Sequence, residues 1–244
     1  MLNEETLRAA LGPRPFQFHP SVGSTNDLAA EWLRAGAPAG AVVIADEQRT
    51  GRGRHGRTWH TPPGTALALS VVLRPDESRA FLSSMIGALA VADLCSGLGL
   101  TPSIKWPNDV LLDGRKVCGV LPEAIWADQR LLGVVLGIGV NVRVAFAGEL
   151  AQRATNLEAA LGQRLERPAL IATILDGVER YSQQPAAAVV ERWRSQLGTL
   201  GQRVSMGDVV GVAVDTDALG ALLIRTDTGR VERVVAGDVA FIEE

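Results

Sequence analysis

Lysine is almost missing from this chain of 244 residues. Of its 24 basic side chains only Lys105 and Lys116 are lysines. A composition that uses arginine nearly everywhere else marks these two neighbouring positions as places where a compact ammonium is needed. Cysteine is also scarce. Cys95 and Cys118 stand in apolar surroundings and read as buried free thiols, which argues against a disulfide framework, a cysteine metal site or a thiol nucleophile. No apolar run reads as long enough to span a membrane, and Met-Leu-Asn-Glu-Glu does not open a signal peptide. The expectation is therefore a soluble cytoplasmic protein without membrane association. Positive charge is in short supply overall: the formal net charge of -3 argues against a general nucleic-acid binder, which carries a basic face. An apolar fraction of 47% with 21% charged residues is that of a globular protein, long enough for one large domain carrying a small one.

The positive charge that is present is concentrated. Residues 48–59 read Gln-Arg-Thr-Gly-Arg-Gly-Arg-His-Gly-Arg-Thr-Trp, so that Arg49, Arg52, Arg54 and Arg57 alternate with Gly51, Gly53 and Gly56. Arginine offers a planar fork matched to phosphate or carboxylate oxygens, and glycine lets the backbone approach an anion closely. No Gly-x-x-x-x-Gly-Lys-Ser/Thr is present, so this is not a Walker loop. Gly51-x-Gly53-x-x-Gly56 matches the dinucleotide fingerprint by letter but lacks a following helix. The bland alternative is a solvated surface loop. The interspersed glycines, the terminal Trp59 and the strand leading in favour an anion clamp.

The pattern along the chain predicts an α+β fold. Helices are expected over 3–11, from the Ser24-Thr-Asn-Asp cap to near Gly36, over 79–98 (the longest), from a Thr155–Glu158 capping box, and over 168–183 and 186–197. Strands are expected over 16–21, 41–45 and 65–73, and in a meander of 104–112, 115–123 and 131–142. Asp113-Gly114 turns the hairpin. After Gly201 short β segments with turns at 217–220 and 227–229 mark a small all-β unit, giving domains of 1–198 and 199–244. In 131–142 one face is aliphatic, while the other carries Gly133, Val135, Gly137, Gly139 and Asn141. Glycine weakens a strand, so a row of it implies that something lies against the backbone, either a packed helix or a ligand. The small face of 65–73 (Ala66, Ala68, Ser70) favours a ligand slot.

Lys105-Trp-Pro-Asn-Asp109 places Asn108 and Asp109 at a sharp corner, because Pro107 holds Trp106 extended. Lys116 returns on the next strand, so the hairpin gathers an amine, a carboxylate and an amide. An amine there could neutralise charge developing on a reacting carboxylate and phosphate.

These segments, in this order, resemble those of the biotin protein ligases: Ser24-Thr25-Asn26, Gln48 with Gly51–Arg57, Lys105–Asp109, Arg115-Lys116 through Gly119, and Gly137-Ile-Gly-Val-Asn141. The resemblance spans residues 16–160 firmly and the terminal β unit more weakly. It implies a catalytic domain like that of class II aminoacyl-tRNA synthetases, with a mixed sheet and packed helices, followed by an SH3-like barrel. It further implies a carbon–nitrogen ligase that joins biotin to ATP, with Mg²⁺, as biotinoyl-5′-AMP. The biotinoyl group then passes to a lysine of a biotin carboxyl carrier domain, releasing AMP. Carried over by position, Ser24, Thr25, Asn26, Gln48, Arg52, Gly53, Arg54, Lys116 and Gly119 would contact biotin. Arg54, Arg57, Trp59, Lys105, Asn108, Lys116, Gly137, Gly139 and Asn141 would contact ATP or the adenylate. Lys116, Arg52, Arg54 and Asp109 would carry the catalysis, with no metal ligands identified. Only 23 residues precede Ser24, too few for the DNA-binding domain of the repressor relatives, so no DNA partner is expected; a homodimer is left open. Two rival readings are a lipoate or octanoate ligase, whose Arg-Arg-x-x-Gly-Gly-Gly run is missing, and a non-enzymatic nucleic-acid module using the arginine loop.

Overall fold

The computed structural model describes residues 2–242. Helix α1 (Glu4–Leu11) starts at a reciprocal cap, in which Thr6 N–H donates to Asn3 Oδ1 at 2.8 Å, and it buries Leu7 and Leu11. Strand β1 (Phe16–Val22), helix α2 (Thr25–Arg34) and strand β2 (Val42–Gln48) follow, with β1 and β2 parallel. Strand β3 (Ala66–Leu73), helix α3 (Ser83–Gly97) and strands β4 (Pro102–Lys105), β5 (Asp109–Leu112), β6 (Arg115–Ala127) and β7 (Arg130–Asn141) complete a seven-stranded mixed sheet of order β1-β2-β3-β7-β6-β5-β4. Helices α4 (Glu149–Arg153), α5 (Leu157–Leu161), α6 (Arg167–Ser182) and α7 (Ala186–Ser195) lead to a five-stranded antiparallel sheet. Its strands are β8 (Arg203–Met206), β9 (Val209–Thr216), β10 (Leu222–Thr226), β11 (Val231–Val234) and β12 (Ala240–Phe241). The expected α+β class, with a mixed sheet and a small β unit behind it, is the architecture found.

The register of β3 against β7 divides the sheet into two unlike faces. Leu67, Leu69 and Val71 stand opposite Val140, Ile138 and Leu136, and this aliphatic face joins α3 and α6 in the main core. A Cβ at Gly177 of α6 would press on Ala90 of α3, so the two helices approach closely there. Fully burying a leucine of this kind contributes about 1.5–3 kcal/mol. On the other face Ala66, Ala68 and Ser70 stand opposite Asn141, Gly139 and Gly137. Helix α2 covers one end of it, with Leu33 lying on Gly133 beside Val43, Val72 and Val135. The glycine row therefore serves both purposes: Gly133 admits a helix, and Gly137 and Gly139 remain for the slot.

The small sheet is seated on the large domain. Trp106 donates through Nε1 to Gly220 O and through its backbone N–H to Thr199 Oγ1, both at 2.9 Å. Val204, Leu222 and Ile224 belong to the same core as Leu89 and Leu136.

Several local expectations are corrected. Segment 104–112 is not one strand: it folds back at Trp106-Pro107, so that Lys105 pairs with Asp109 across β4 and β5. Segment 79–98 begins as 3-10 turns over Glu77–Leu82 and runs on as α3, and the 21 residues of Glu77–Gly97 exceed the 16 of α6, as expected. By length and composition Glu77–Gly97 is apolar enough to cross a bilayer, contrary to the sequence reading, although most of it is buried in the core. Helix α5 is capped by Asn156, which accepts from Ala159 N–H at 2.8 Å, and not by Thr155.

The capping box fails because its acid is used elsewhere. Glu158, with its side chain 10% exposed, accepts from Arg143 at 2.5 Å, from Arg164 at 2.9 Å and from Leu165 N–H at 3.0 Å. Arg143 also donates to Gly64 O and Leu165 O, tying down the chain that follows β7. The Arg143 guanidinium holds the Glu158 carboxyl at about 2, against an ordinary 4.5. Because the folded value is depressed, its contribution is present above the unfolded value and is lost as pH falls from about 4.5 toward 2. We expect Glu158→Gln to cost roughly 1–3 kcal/mol at pH 7. The gap from wild type in thermal unfolding should close over that acidic window; a pH-independent gap would contradict the assignment.

Candidate active site

The uncovered strip of β3 and β7 floors a cavity of about 360 Å³. Its walls come from the start of α2, the end of β2, the loop of residues 49–60, and the β5–β6 hairpin. Asp113 and Gly114 turn that hairpin with φ of 48° and 74°, the two positive values a type I′ turn requires. Every residue given a contact or catalytic role from the sequence lines this cavity except Lys105. The Lys105 ammonium sits 5.0 Å from the Phe241 ring centroid and lines a separate cavity of about 140 Å³, and burial pushes its pKa down.

At one end, Ser24, Thr25 and Asn26 open α2 and are buried. Ser24 occupies the N-cap position without making the capping bond; Thr25 donates its N–H (2.8 Å) and hydroxyl (3.0 Å) to Gln48 Oε1 instead. Asn26 donates to Glu123 Oε2 at 2.7 Å and lies 2.6 Å from Ser70 Oγ. Its amide rests on Gly137, where a Cβ would overlap it. These polar groups are fixed by one another before any ligand arrives, which lowers the ordering cost of binding.

At the other end, Lys116 Nζ pairs with Asp109 Oδ1 at 2.7 Å and stands 5.4 Å from the Trp59 ring centroid. Trp59 lies on Gly139, and its buried Nε1 has no partner among the described residues. Asn108 donates to Val120 O and accepts from Arg54 at 3.2 Å. Asn141 spends its amide hydrogens on Thr155 O (3.1 Å) and Lys116 O (3.4 Å), bracing the wall. The two thiols are buried and unpaired as expected; burial pushes Cys95 up to about 12 and Cys118 well above its ordinary range.

The arginine loop is anchored by carboxylates. Arg52 makes a two-pronged contact with Asp27 at 2.7 and 2.8 Å and approaches Glu123 at 3.5 Å. That guanidinium holds Asp27 below the usual carboxylate range. Arg54 donates to Gly237 O at 3.0 Å, and Arg57 pairs with Asp238. Glu123 and Asp238 carry no signal in the sequence, and Asp27 and Ser70 read there only as part of a helix cap and of a small strand face. Asp27 follows the Ser-Thr-Asn run and Ser70 lies on the small face of β3, so both had a local signal; Glu123 and Asp238 reach the site only through the fold.

A slot with fixed amides at one end, an amine–carboxylate pair at the other and guanidinium groups along its rim suits a ligand with a polar ring and a phosphate. The biotin/lipoate A/B protein ligase family model matches residues 18–141, which sets the class. The model of the biotin protein ligase C-terminal domain matches residues 199–242. Biotin--[acetyl-CoA-carboxylase] ligase of Mycobacterium tuberculosis is 35% identical over 260 residues, covering 99% of this chain and 94% of its own. The bifunctional ligase/repressor BirA of Bacillus subtilis is 32% identical, over 91% of this chain and 72% of the relative. The structure of the Aquifex aeolicus biotin protein ligase in complex with biotin and ATP superposes with a TM-score of 0.79 at 27% identity, covering 94% of this chain and 99% of that one. The chain belongs to the biotin protein ligase family.

The floor gives a direct test. Gly139→Val should fold but displace Trp59, changing the indole emission and weakening nucleotide binding by on the order of tenfold or more. Unchanged emission and affinity would show that the indole does not need the bare backbone.

Proposed function

We propose that the chain activates biotin with MgATP and transfers the biotinoyl group to the ε-amine of a lysine on a biotin carboxyl carrier domain. A biotin carboxylate oxygen attacks the α-phosphorus of ATP, forming the acyl phosphate bond and expelling pyrophosphate. The lysine amine then attacks the acyl carbon; the new amide forms, AMP leaves, and the amine gives up a proton. The observation that carries this reading is the Lys116–Asp109 pair at 2.7 Å, set where the arginine loop meets the glycine floor.

In this reading Ser24, Thr25, Asn26 and Gln48 hold the ureido end of biotin. Lys116 neutralises the carboxylate and phosphate oxygens as charge shifts between them, and Asp109 holds that ammonium in place. Arg52 and Arg54, with Gly53 between them, cover the acyl phosphate, while Arg57 and Trp59 attend the nucleotide. Asn108 fixes Arg54. Asn141 acts through its bracing of the Lys116 strand, not by contact with the base. The Lys105 ammonium contributes only long-range positive charge. Mg²⁺ arrives on the phosphates of ATP: among the described residues no three metal-ligating side chains gather. No enzyme nucleophile is required, since the adenylate itself is the activated acyl donor.

Lys116→Ala should lower adenylate formation in a single-turnover assay by on the order of 10²–10³-fold. The thermal midpoint should barely move, because the pair is partly exposed. Full turnover in the folded variant would refute the role.

A further inference from the structure

Glu123 stands on β6 opposite Val135, on the same side of the sheet as Leu121 and Gly119, yet it does not line the slot. It reaches the slot through Asn26. The Asn26 amide lies over the bare backbone of Gly137, with its nitrogen toward β6 and its oxygen toward β3. Nδ2 donates to Glu123 Oε2 at 2.7 Å and to Leu121 O at 3.3 Å, so both amide hydrogens are spent. Oδ1 accepts from Ser70 Oγ at 2.6 Å. An ionised carboxylate accepts and does not donate, so a reversed amide would set its oxygen against the Glu123 oxygens. The protons beyond Asn26 are committed as well. Ser70 has one, shared between Asn26 Oδ1 and Thr25 Oγ1 at 2.7 Å, and Thr25 gives its own to Gln48 Oε1. What Asn26 and Thr25 keep for a ligand is therefore lone pairs, on Oδ1 and Oγ1.

We propose that Glu123 is a positioning residue that determines which acid the slot takes. By fixing the Asn26 amide it makes this end of the slot an acceptor of N–H hydrogens. The ureido ring of biotin carries such hydrogens; a dithiolane ring or an alkyl chain does not. This rests on the reading that Ser24, Thr25 and Asn26 hold the ureido end of biotin. Selection of this kind is strong, because an acid without N–H groups leaves buried acceptors unpaired. A carboxamide at position 123 would offer Asn26 both a donor and an acceptor, and the direction of the amide would no longer be imposed. Arg52 would stay in place, since its two-pronged contact is with Asp27 and it only approaches Glu123, at 3.5 Å.

Glu123→Gln keeps the shape of a side chain that is 34% exposed, so the fold should be retained. Pyrophosphate exchange reads the selection, with biotin compared against the two cyclic carbamates in which oxygen replaces one or the other ureido N–H. Wild type should prefer biotin to both. In Glu123→Gln the KM for biotin should rise roughly tenfold, the scale of a hydrogen bond whose loss leaves a buried group unpaired. The changes in kcat and in the KM for ATP should be smaller. At least one carbamate should lose much less, so that the preference for biotin over it falls by about the same factor. Equal losses for all three acids, or an unchanged KM for biotin, would overturn the role of Glu123. A wild-type enzyme that uses biotin and both carbamates equally well would instead overturn the reading that this end holds the ureido ring.

Discussion

Gly137 and Gly139 stand opposite Ser70 and Ala68, and the strip of bare backbone they make is the constraint on which the slot depends. A Cβ at either glycine would collide with the Asn26 amide or the Trp59 indole. With no side chains there, a helix start and a loop aromatic can both rest on the sheet, 33 residues apart in sequence yet on the same two strands. The aliphatic side chains on the opposite face of those strands belong to the main core, so the core sets the height of the floor and the glycines set the depth of the slot. Interiors pack densely enough that a single added methyl group is felt, and this couples the chemistry of the slot to the packing beneath it.

Charge in the slot is arranged by competition. Arg52, Arg54, Arg57 and Lys116 each have a carboxylate within 4 Å: Asp27, Asp238 and Asp109. None of these pairs is fully buried, so none is strong enough to be permanent. They hold the cations around the slot and keep it from accumulating unbalanced positive charge. In the proposed reaction a phosphate would find donors already in place, which is the sense in which the site is preorganised. A less exposed pair, Arg143 with Glu158, lies outside the slot and braces the chain leaving β7.

Much of this was legible in the sequence wherever the cause is local. The Asp113-Gly114 hairpin, the alternation of arginine with glycine, the small faces of β3 and β7 and the two retained lysines all carry their chemistry in neighbouring residues. Wherever distant segments compete for a group, local reading missed it. Thr155 and Glu158 spell a capping box, but Arg143 recruits the acid and the cap moves to Asn156. Lys105 sits in the same motif as Asp109, yet the aromatic ring of Phe241 draws its ammonium out of the slot wall. Asp238 and Arg57 are 181 residues apart, and no pattern in either segment points to the other. The apolar length of Glu77–Gly97 is likewise set by its burial between sheet and helices.

The central claim is that this slot activates one carboxylic acid by adenylation, and exchange of labelled pyrophosphate into ATP tests it most directly. With the purified chain and Mg²⁺, biotin should support exchange while lipoate and octanoate should not. Exchange supported by lipoate or octanoate in preference to biotin, or by none of the three in a folded sample, would contradict the account.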